Sequence, residues 1–364
     1  MSTLLPTSVV RSILERLAGP HGLDRYLELV DPLLVRGEDR AVVTDVRRET
    51  ADTTTLTLRP NRWAGHAAGQ YVRVSVEIDG RRHARCYSVS SSQHRDDGRL
   101  TITVKADPQG LVSPYLARHA RPGLVVGLSE ADGDFVLPAV RPDRLLLISG
   151  GSGITPVGSI LRTLADEDAD TDVTLLHYAP TADDVAFRDE LRELHTRRDN
   201  VRVVIVLTRD PAGSDLALTG HLTARHVDAV LDDPTDVPTY VCGPVGLVDG
   251  ATRLWSDAGL ADLLHIERFQ PAAPAEVDGD ATGTITLTAS RRRVANDGRP
   301  LLAQIEAAGL SPQAGCRMGI CHTCIKPKLV GRVRDVRDGR VSSCDPEDIQ
   351  ICINAPVGDV TLEI

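Results

Sequence analysis

Three cysteines stand close together in the segment CRMGICHTC (316–324), at the spacing C-x4-C-x2-C. Thiols this close together hold a metal centre, form a disulfide or have no joint role. The start of the chain does not form the apolar core of a secretory signal, because Arg11, Glu15 and Arg16 interrupt it. We therefore expect a cytoplasmic protein, a setting that disfavours disulfides and favours metal or redox roles for clustered cysteines.

A [2Fe–2S] cluster is commonly held by cysteines at C-x4-C-x2-C, with a fourth cysteine further along the chain. Four residues match this spacing: Cys316, Cys321, Cys324 and Cys352. Cys344 is the alternative fourth ligand, but it lies in the polar, turn-like SSCDPED, whereas Cys352 ends an apolar strand in IQICINAP that could bury a cluster. Structural zinc usually takes two close pairs of ligands, and the single His322 does not suit a Rieske site. The spacing therefore favours an iron–sulfur cluster over zinc.

This segment, QAGCRMGICHTC…IQICINAP, resembles plant-type ferredoxins over about residues 282–364. The resemblance implies an α+β domain of β-grasp fold that carries the [2Fe–2S] cluster in its cysteine loop.

The hydrophobic pattern predicts a multidomain protein. Residues 1–37 form a lead-in with a short amphipathic helix. Residues 38–139 contain six short alternating or β-branched segments separated by DG and PG turns, which predicts an antiparallel β-barrel. Residues 140–270 alternate continuous apolar strands with helical segments, which predicts an α/β domain with a parallel sheet. Residues 271–281, rich in Pro, Ala, Gly and acidic residues, indicate a linker.

Two segments of the barrel have groups that a flavin requires. In RCYS, Arg85 can bind a phosphate, Tyr87 can cover the ring and Ser88 can reach N5. The segment GLVSPYLA (110–117) runs from a glycine turn into a helix that begins near Ser113, where unpaired N–H groups can bind an anion. A plain capped helix would have the same pattern. The two segments together predict a flavin site.

Two segments of the α/β domain are typical of nucleotide binding. GGSGITP (150–156) follows the first parallel strand, and the helix after Pro156 would direct its N-terminus at a pyrophosphate. CGP (242–244) ends what the pattern predicts to be the last parallel strand, at the edge where such sheets bind ligands. Cys242 could equally be a buried core cysteine.

The ordered set R-x-Y-S, G-x-x-S, GGSGITP, CGP and E-R-F (267–269) resembles the ferredoxin–NADP reductase family over about residues 38–270. The resemblance implies flavin contacts from Arg85, Tyr87 and Ser88, and phosphate contacts from Gly110, Val112 and Ser113. It also implies that the nicotinamide nucleotide meets Gly150, Gly151, Gly153, Thr155, Pro156, Gly243 and Pro244.

The same resemblance places Cys242 near nicotinamide C4 and flavin N5, with Glu267 and Phe269 beside the ring. The catalytic residues that it implies are Cys242, Glu267 and Ser88. Family members use FAD or FMN, and we expect FAD. Thr208 and Arg209 follow the strand VRVVIVL, where the family places its contacts to the 2′-phosphate. An arginine there favours NADPH over NADH, although Asp210 comes directly after it.

The domain order resembles the reductase components of multicomponent oxygenases, and GPHGLDRYLELVDPLL in the lead-in resembles reductases that supply membrane acyl-CoA desaturases. The resemblance implies electron flow from NADPH through FAD and the [2Fe–2S] cluster to a desaturase, hydroxylase or oxygenase, with transient docking where that partner is membrane-bound. The alternatives are a reductase of a cytochrome P450 or a Rieske oxygenase, a non-enzymatic electron carrier or redox sensor, and a zinc-stabilised binding module.

Charge and hydropathy exclude two other classes of protein. The net charge is −10 and no lysine- or arginine-rich block occurs, so the chain lacks the basic surface of a nucleic-acid binder. No apolar run in the sequence approaches the ~20 residues of a transmembrane helix.

Overall fold

The computed structural model describes residues 31, 33, 39–210, 213–269, 281–315, 317, 319, 322–337 and 339–364. Nearly all of the predicted lead-in and of the predicted linker lies outside the described residues, as do Cys316 and Cys321. Within the described part the strands form three sheets, which follow one another along the chain.

The first sheet has six antiparallel strands in the order β4-β3-β6-β1-β2-β5. Their bounds are Arg40–Arg48 (β1), Thr53–Pro60 (β2), Tyr71–Ile78 (β3), Arg81–Ser88 (β4), Leu100–Lys105 (β5) and Val125–Leu128 (β6). A bridge between Val89 and Ile102 joins the two edges, so the sheet closes into the predicted barrel. Alternate side chains, such as Val72 and Val74, fill its interior, and helix α1 (Val112–His119) packs against that core.

The second sheet is parallel, with the order β11-β10-β7-β8-β9. Its strands are Arg144–Gly150 (β7), Asp172–Ala179 (β8), Val201–Leu207 (β9), Thr239–Gly243 (β10) and Leu264–Arg268 (β11). Its helices are Ile154–Asp166 (α2), Arg188–Arg197 (α3), Ala224–Asp228 (α4) and Val245–Asp257 (α5). Two apolar cores cover its opposite faces, as expected for an α/β domain.

Two expectations for this domain were wrong. The CGP strand β10 is not the last parallel strand, because β11 (Leu264–Arg268) pairs beyond it at the edge of the sheet. The helix does not begin after Pro156. It begins at Ile154, and Pro156 lies in its first turn, where the backbone N–H groups have no intrahelical acceptor and proline is tolerated.

The third sheet has the order β13-β12-β16-β14-β15. Its strands are Thr284–Leu287 (β12), Arg292–Ala295 (β13), Ile325–Asp335 (β14), Glu347–Gln350 (β15) and Asn354–Leu362 (β16). β12 and β16 are parallel neighbours at its centre, and the other pairs are antiparallel. Helix α6 (Leu301–Ala307) buries Leu301, Leu302 and Ile305 in the same core as Cys324 and Cys352.

Helix α2 joins the barrel to the parallel sheet. Ser159 Oγ donates a hydrogen bond to Ser91 O at 2.7 Å, and Arg162 donates to Ser90 O. Arg162 also forms an ion pair with Glu190 at 2.6 Å. These contacts set the position of the end of β4 against the glycine turn before α2.

Among the described residues, no helix has both the length and the apolar character needed to cross a membrane.

Candidate functional site

Four buried side chains form a row across the parallel sheet, close to the carboxyl ends of its strands. Cys242 is in register with Glu267 on one side and with Ser149 on the other, and Ser149 is in register with His177. Side chains in register on neighbouring strands share a face of the sheet. The structure thus brings together the predicted Cys242 and Glu267, and it adds Ser149 and His177.

Cys242 and Glu267 form a pair that is neutral at neutral pH. The Cys242 thiol donates to Glu267 Oε2 at 3.9 Å. Burial raises the pKa of Glu267 to about 8, although Ser88 and Cys242 act to lower it. Burial, together with the adjacent Glu267 carboxyl, raises the pKa of the Cys242 thiol well above its ordinary value. At neutral pH the carboxyl of Glu267 therefore holds a proton that it can donate.

Ser88 extends this pair to the barrel, because it lies close enough to Glu267 to lower the pKa of that carboxyl. Even so, Ser88 Oγ completes no hydrogen bond of normal geometry, and the buried hydroxyl of Tyr87 also has no partner among the described residues. A buried polar group without a partner costs ~1–3 kcal/mol, so a ligand with hydrogen-bonding atoms is expected here. The polar edge of a flavin ring fits these residues.

The segment after β5 forms a tight turn at the start of α1. A Cβ at Gly110 would lie 3.0 Å from Ser113 Oγ and 3.2 Å from Asp107 O. Ser113 Oγ accepts a hydrogen bond from Asp107 N at 3.2 Å, so its hydroxyl holds the turn. The Val112 side chain is buried in the barrel core. Any contact of Val112 with a phosphate would therefore be made by its backbone N–H at the helix start.

Arg85 lies on the same strand as Tyr87, two residues earlier, and its Nη1 donates to Ala84 O at 2.7 Å. Two residues apart on a strand, the side chains of Arg85 and Tyr87 share one side of β4. The contact of Arg85 with a phosphate stays a prediction.

The two glycine segments of the parallel sheet pack directly against each other. A Cβ at Gly153 would lie 2.0 Å from Cys242 O, and a Cβ at Gly150 would lie 3.0 Å from the Pro244 side chain. A Cβ at Gly243 would lie 3.0 Å from Gly150 N. Only glycine allows the turn of GGSG to approach the end of the CGP strand this closely.

The remaining predicted residues of the turn shape it from within. Gly151 has φ 53°, a left-handed conformation that glycine adopts at little cost. Thr155 and Pro156 are buried in the first turn of α2, and Thr155 Oγ1 donates to Ser152 O at 3.0 Å. Phe269 is partly buried against the core on the Cys242 side of the sheet.

Thr208 and Arg209 follow β9 at the carboxyl end of the sheet. Thr208 N donates to Ala179 O and Arg209 N donates to Pro180 O, so the backbone here is fixed. Arg209 and Asp210 are both exposed. Their position at the rim agrees with the predicted contact to a 2′-phosphate and leaves that contact a prediction.

The described residues of the cysteine loop have an unusual backbone. Arg317, Gly319 and His322 have φ angles of 62°, 77° and 52°, in the left-handed region. Such residues interspersed in a loop turn backbone N–H groups inward, as in the concave anion sites around iron–sulfur clusters. Arg317 is anchored to Glu306 on α6 by two hydrogen bonds of 2.8 and 2.6 Å.

Cys324 and Cys352 are close together and buried, with exposed fractions of 2% and 6%. Ile351 N donates to Cys324 O at 3.3 Å, next to the end of the β14–β15 pairing. Strand β15 ends at Gln350, before Cys352, so the following turn with Ile351 and Ile353 buries this thiol rather than the predicted apolar strand.

Cys344 lies at the opposite end of β15 and is exposed. The fully buried Lys328 binds the carbonyls on both sides of it, with Nζ 2.7 Å from Ser343 O and 2.9 Å from Asp345 O. The described part of the chain contains no group of three potential metal ligands, and two of the four predicted cysteines lie outside that part. The geometry favours Cys352 over Cys344 as the thiol beside Cys324.

Sequence reasoning missed Ser149, His177 and a contact of the cysteine loop. Ser149 Oγ lies 2.8 Å from His177 Nδ1, and His177 Nε2 has no partner within the described residues. His177 stands out in the sequence as the polar residue in the apolar strand LLHYA. The contact joins Arg73 on β3 to Thr323 at 2.6 Å, and no motif marks it.

Two family models match this chain. The oxidoreductase FAD-binding domain matches residues 40–136, and the oxidoreductase NAD-binding domain matches residues 147–253. The first corresponds to the barrel and the second to the parallel sheet.

Several curated proteins are similar over most of their length. An NADPH oxidoreductase of Mycobacterium tuberculosis is 38% identical over 361 residues, which is 98% of this chain and 92% of the relative. The glycine betaine monooxygenase reductase subunit of Chromohalobacter salexigens is 30% identical over 81% of this chain and 86% of the relative. The ferredoxin reductase component of a 3-ketosteroid-9-alpha-monooxygenase of Mycobacterium tuberculosis is 32% identical over 78% of this chain and 83% of the relative.

Among solved structures, phthalate dioxygenase reductase has the same fold, with a TM-score of 0.63 at 22% identity, over 90% of this chain and 98% of that one. The FAD/NAD-binding domain of a nitric oxide dioxygenase of Vibrio cholerae has a TM-score of 0.58 at 28% identity, over 65% of this chain and all of that one.

The chain is therefore a flavin- and nicotinamide-nucleotide-binding oxidoreductase. More particularly, it belongs to the ferredoxin reductase-type family, and it is an NAD(P)H-dependent enzyme of that family.

Proposed function

We propose that this chain is an NADPH-dependent reductase that passes electrons through FAD and a [2Fe–2S] cluster to a separate terminal enzyme. The observation that carries the proposal is the meeting of Ser88 from the barrel with Cys242 and Glu267 from the parallel sheet. Next to it, the buried hydroxyls of Tyr87 and Ser88 have no partner in the described structure, so a ligand between the two domains would satisfy them.

FAD bound here would supply the conversion between a two-electron hydride and single electrons. Tyr87 would cover the ring, and Ser88 would donate a hydrogen bond to its edge. Glu267 would hold a proton beside the ring, since its pKa of about 8 keeps it protonated at neutral pH. The glycine turn, with its close contact between Gly153 and Cys242 O, would bring the nicotinamide nucleotide against Cys242.

The C-terminal sheet supports the cluster as the next carrier. A central parallel pair, antiparallel outer strands and one helix packed on the sheet are what a β-grasp domain has. Cys324 and Cys352 are buried together, and Arg317, Gly319 and His322 have the left-handed φ angles that occur where a backbone turns its N–H groups toward a bound group. Phthalate dioxygenase reductase, whose fold extends over 90% of this chain, is described as a modular structure for electron transfer from pyridine nucleotides to [2Fe–2S].

The terminal acceptor in this proposal is a fatty acyl desaturase or a hydroxylase, some of which are membrane-bound. Relatives are named as reductase components of oxygenases, and a cytochrome P450 reductase from Amycolatopsis is 26% identical over 65% of this chain. A P450 or a Rieske oxygenase is therefore the second candidate acceptor. NADPH rather than NADH is proposed because Arg209 is exposed at the carboxyl end of β9.

The test begins by quantifying the flavin and iron in the purified chain. The chain is then titrated without air with NADPH and, separately, with NADH, and the visible absorbance is recorded after each addition. The proposal expects one FAD and two iron atoms per chain, with both sets of bands bleached by NADPH at lower concentration than by NADH. A protein that bleaches as a flavin but holds no iron would refute the cluster. A protein that neither nucleotide bleaches would refute the reductase function.

A further inference from the structure

The cysteine loop of the C-terminal domain touches the outer face of the barrel. Arg73 Nη1 donates a hydrogen bond to Thr323 Oγ1 at 2.6 Å, across 250 residues of sequence. Thr323 directly precedes Cys324, which is buried with Cys352. The contact therefore joins the barrel to the part of the C-terminal domain that carries the proposed cluster.

Arg73 is held in position on the barrel side. Its backbone N donates to Ser129 Oγ at 2.8 Å, and Ser129 N donates back to Arg73 O at 3.0 Å. Its neighbours Val72 and Val74 fill the barrel interior, so the Arg73 side chain projects outward from β3. The planar guanidinium holds its N–H donors in a rigid fork, so an arginine at this fixed backbone position can present a donor to the Thr323 hydroxyl.

The same residue lies one strand away from the proposed flavin site. Arg73 pairs with Cys86 on β4, and Tyr87 and Ser88 come directly after Cys86. Side chains directly opposite each other on antiparallel strands are about 5 Å apart at Cβ. Arg73 and its contact to Thr323 therefore lie one strand away from Tyr87 and Ser88, the residues that would hold the flavin.

The surroundings of the contact are polar. A cavity of about 650 Å³ lies beside it, and its walls include Asp39, Arg73, Ser75, Arg82, Glu130 and Asp132. Polar contacts of this kind are typical of interfaces that open and close, whereas permanent interfaces are more apolar.

We propose that the Arg73–Thr323 hydrogen bond docks the cysteine loop of this chain on the outer face of β3, as the position for internal electron transfer. This inference rests on the proposed function. In the docked position one electron passes from the reduced flavin, which is oxidised, to the oxidised cluster, which is reduced, and no bond forms or breaks. Release of the hydrogen bond exposes the same loop to the external acceptor.

The test uses the full chain with both cofactors and two single variants, Arg73→Ala and Thr323→Val, with Arg81→Ala as the control. Arg81 is an exposed arginine at the far end of β4, paired with Ile78. In stopped-flow absorbance with NADPH, we expect unchanged flavin bleaching and cluster bleaching slowed about tenfold or more, the effect of losing one hydrogen bond to a charged group. The control should bleach as the parent does.

Hydrogen exchange gives a readout that does not depend on turnover. The amides of residues 322–325 should exchange faster in both single variants, whereas those of helix α6 should not change. The double variant should behave as either single variant, because the two side chains share one contact.

Equal exchange in parent and variants, or effects of the two substitutions that add, would overturn the docking role and leave the reductase function intact. Absence of flavin bleaching in the parent would instead refute the proposed function. If Arg73→Ala fails to fold, Thr323→Val alone decides, since it removes only the hydroxyl.

Discussion

Glu267 is a carboxyl that the fold keeps protonated at neutral pH. Its pKa rises from 4.5 to about 8 because it is buried. Below pH 4.5 both the folded and the unfolded chain hold this proton. As pH rises from 4.5 to about 8, the unfolded chain loses the proton and the folded chain keeps it, so the free energy of unfolding falls across this window and is level above it.

Glu267→Gln should remove that pH dependence. At about 1.4 kcal/mol per pKa unit, the full effect is a few kcal/mol. We expect the melting temperature of the variant, relative to the parent, to rise steadily between pH 5 and pH 8.5. The measurement is thermal unfolding at four pH values, with the exposed Glu193→Gln as the control. If the melting temperature changes with pH equally in the parent and in Glu267→Gln, then Glu267 is ionised in the folded chain across this pH range.

The two candidate fourth ligands give a matched pair of substitutions. Cys352→Ser should abolish the cluster, since Cys352 is buried next to Cys324, and Cys344→Ser should retain it, since Cys344 is exposed at the other end of β15. Iron content and visible absorbance of the purified variants measure the difference. The reverse result would make Cys344 the ligand.

Residue types and spacing indicate candidate site residues where a chemical role limits the residue type, and the binding roles of those residues stay predictions. Arg85, Tyr87 and Ser88 and the glycines of GGSG could be named from residue types and spacing. Ser149 and His177 could not, because their importance depends on which residues of neighbouring strands are in register. Register is set by side-chain packing across the whole sheet.

At the scale of elements, the loop between β7 and α2 is shaped by contact with β10. Gly153→Ala would place a Cβ 2.0 Å from Cys242 O, so the turn must move away from the strand. We expect the KM for NADPH to rise about tenfold or more, since small displacements of binding groups have effects of this size. Steady-state kinetics with an artificial acceptor measure it.

Gly250→Ala is the control for this substitution. Gly250 lies inside α5, where a Cβ would meet nothing within 4 Å. Alanine there should raise helix stability by up to ~1 kcal/mol and leave the KM unchanged. An unchanged KM in Gly153→Ala would mean that the glycine turn does not bind the nucleotide.

Element prediction failed where the hydrophobic pattern is weak. The four continuously apolar strands of the parallel sheet were found, but β11 was not, since LHIER alternates apolar with polar residues. An edge strand has fewer neighbours and does not need a continuous apolar sequence. The missed strand β11 carries Glu267. The residue was therefore predicted from a motif, whereas the strand that positions it was not predicted.

At the scale of the whole molecule, Arg162 on α2 joins three parts of the structure. It donates to Ser90 O after β4, forms an ion pair with Glu190 on α3 and lies 4.3 Å from the centre of the Phe187 ring. Arg162→Ala removes these contacts together, and we expect unfolding at a melting temperature several degrees lower, with a loss of about 2–4 kcal/mol.

The same substitution should also slow flavin reduction by NADPH, because the contact fixes the barrel against the nucleotide-binding sheet. Arg197→Ala, which removes an exposed ion pair with Glu193, should change neither property. Thermal unfolding and stopped-flow reduction measure the two effects. A variant that loses stability but reduces its flavin at the parental rate would show that domain placement does not depend on this contact.

The order of the antiparallel barrel and the parallel-sheet domain was predictable because each has its own periodicity. The contacts between parts were not, because Ser159, Arg162 and Arg73 belong to no motif and act across long sequence separations. The predicted linker lies almost wholly outside the described residues, so it stays a prediction.

The buried Lys328 limits which thiols of the C-terminal domain can meet. Its Nζ donates hydrogen bonds to the carbonyls on both sides of Cys344. Lys328 itself follows Cys324 by four residues at the start of β14, so their Cα atoms are roughly 13 Å apart at the rise of a strand. A disulfide needs Cα atoms within about 7 Å. Because Glu347 pairs with Lys328 and Gln350 pairs with Ile325, Cys344 is held at the end of β15 away from Cys324, and a disulfide between the two would require that end of the strand to detach.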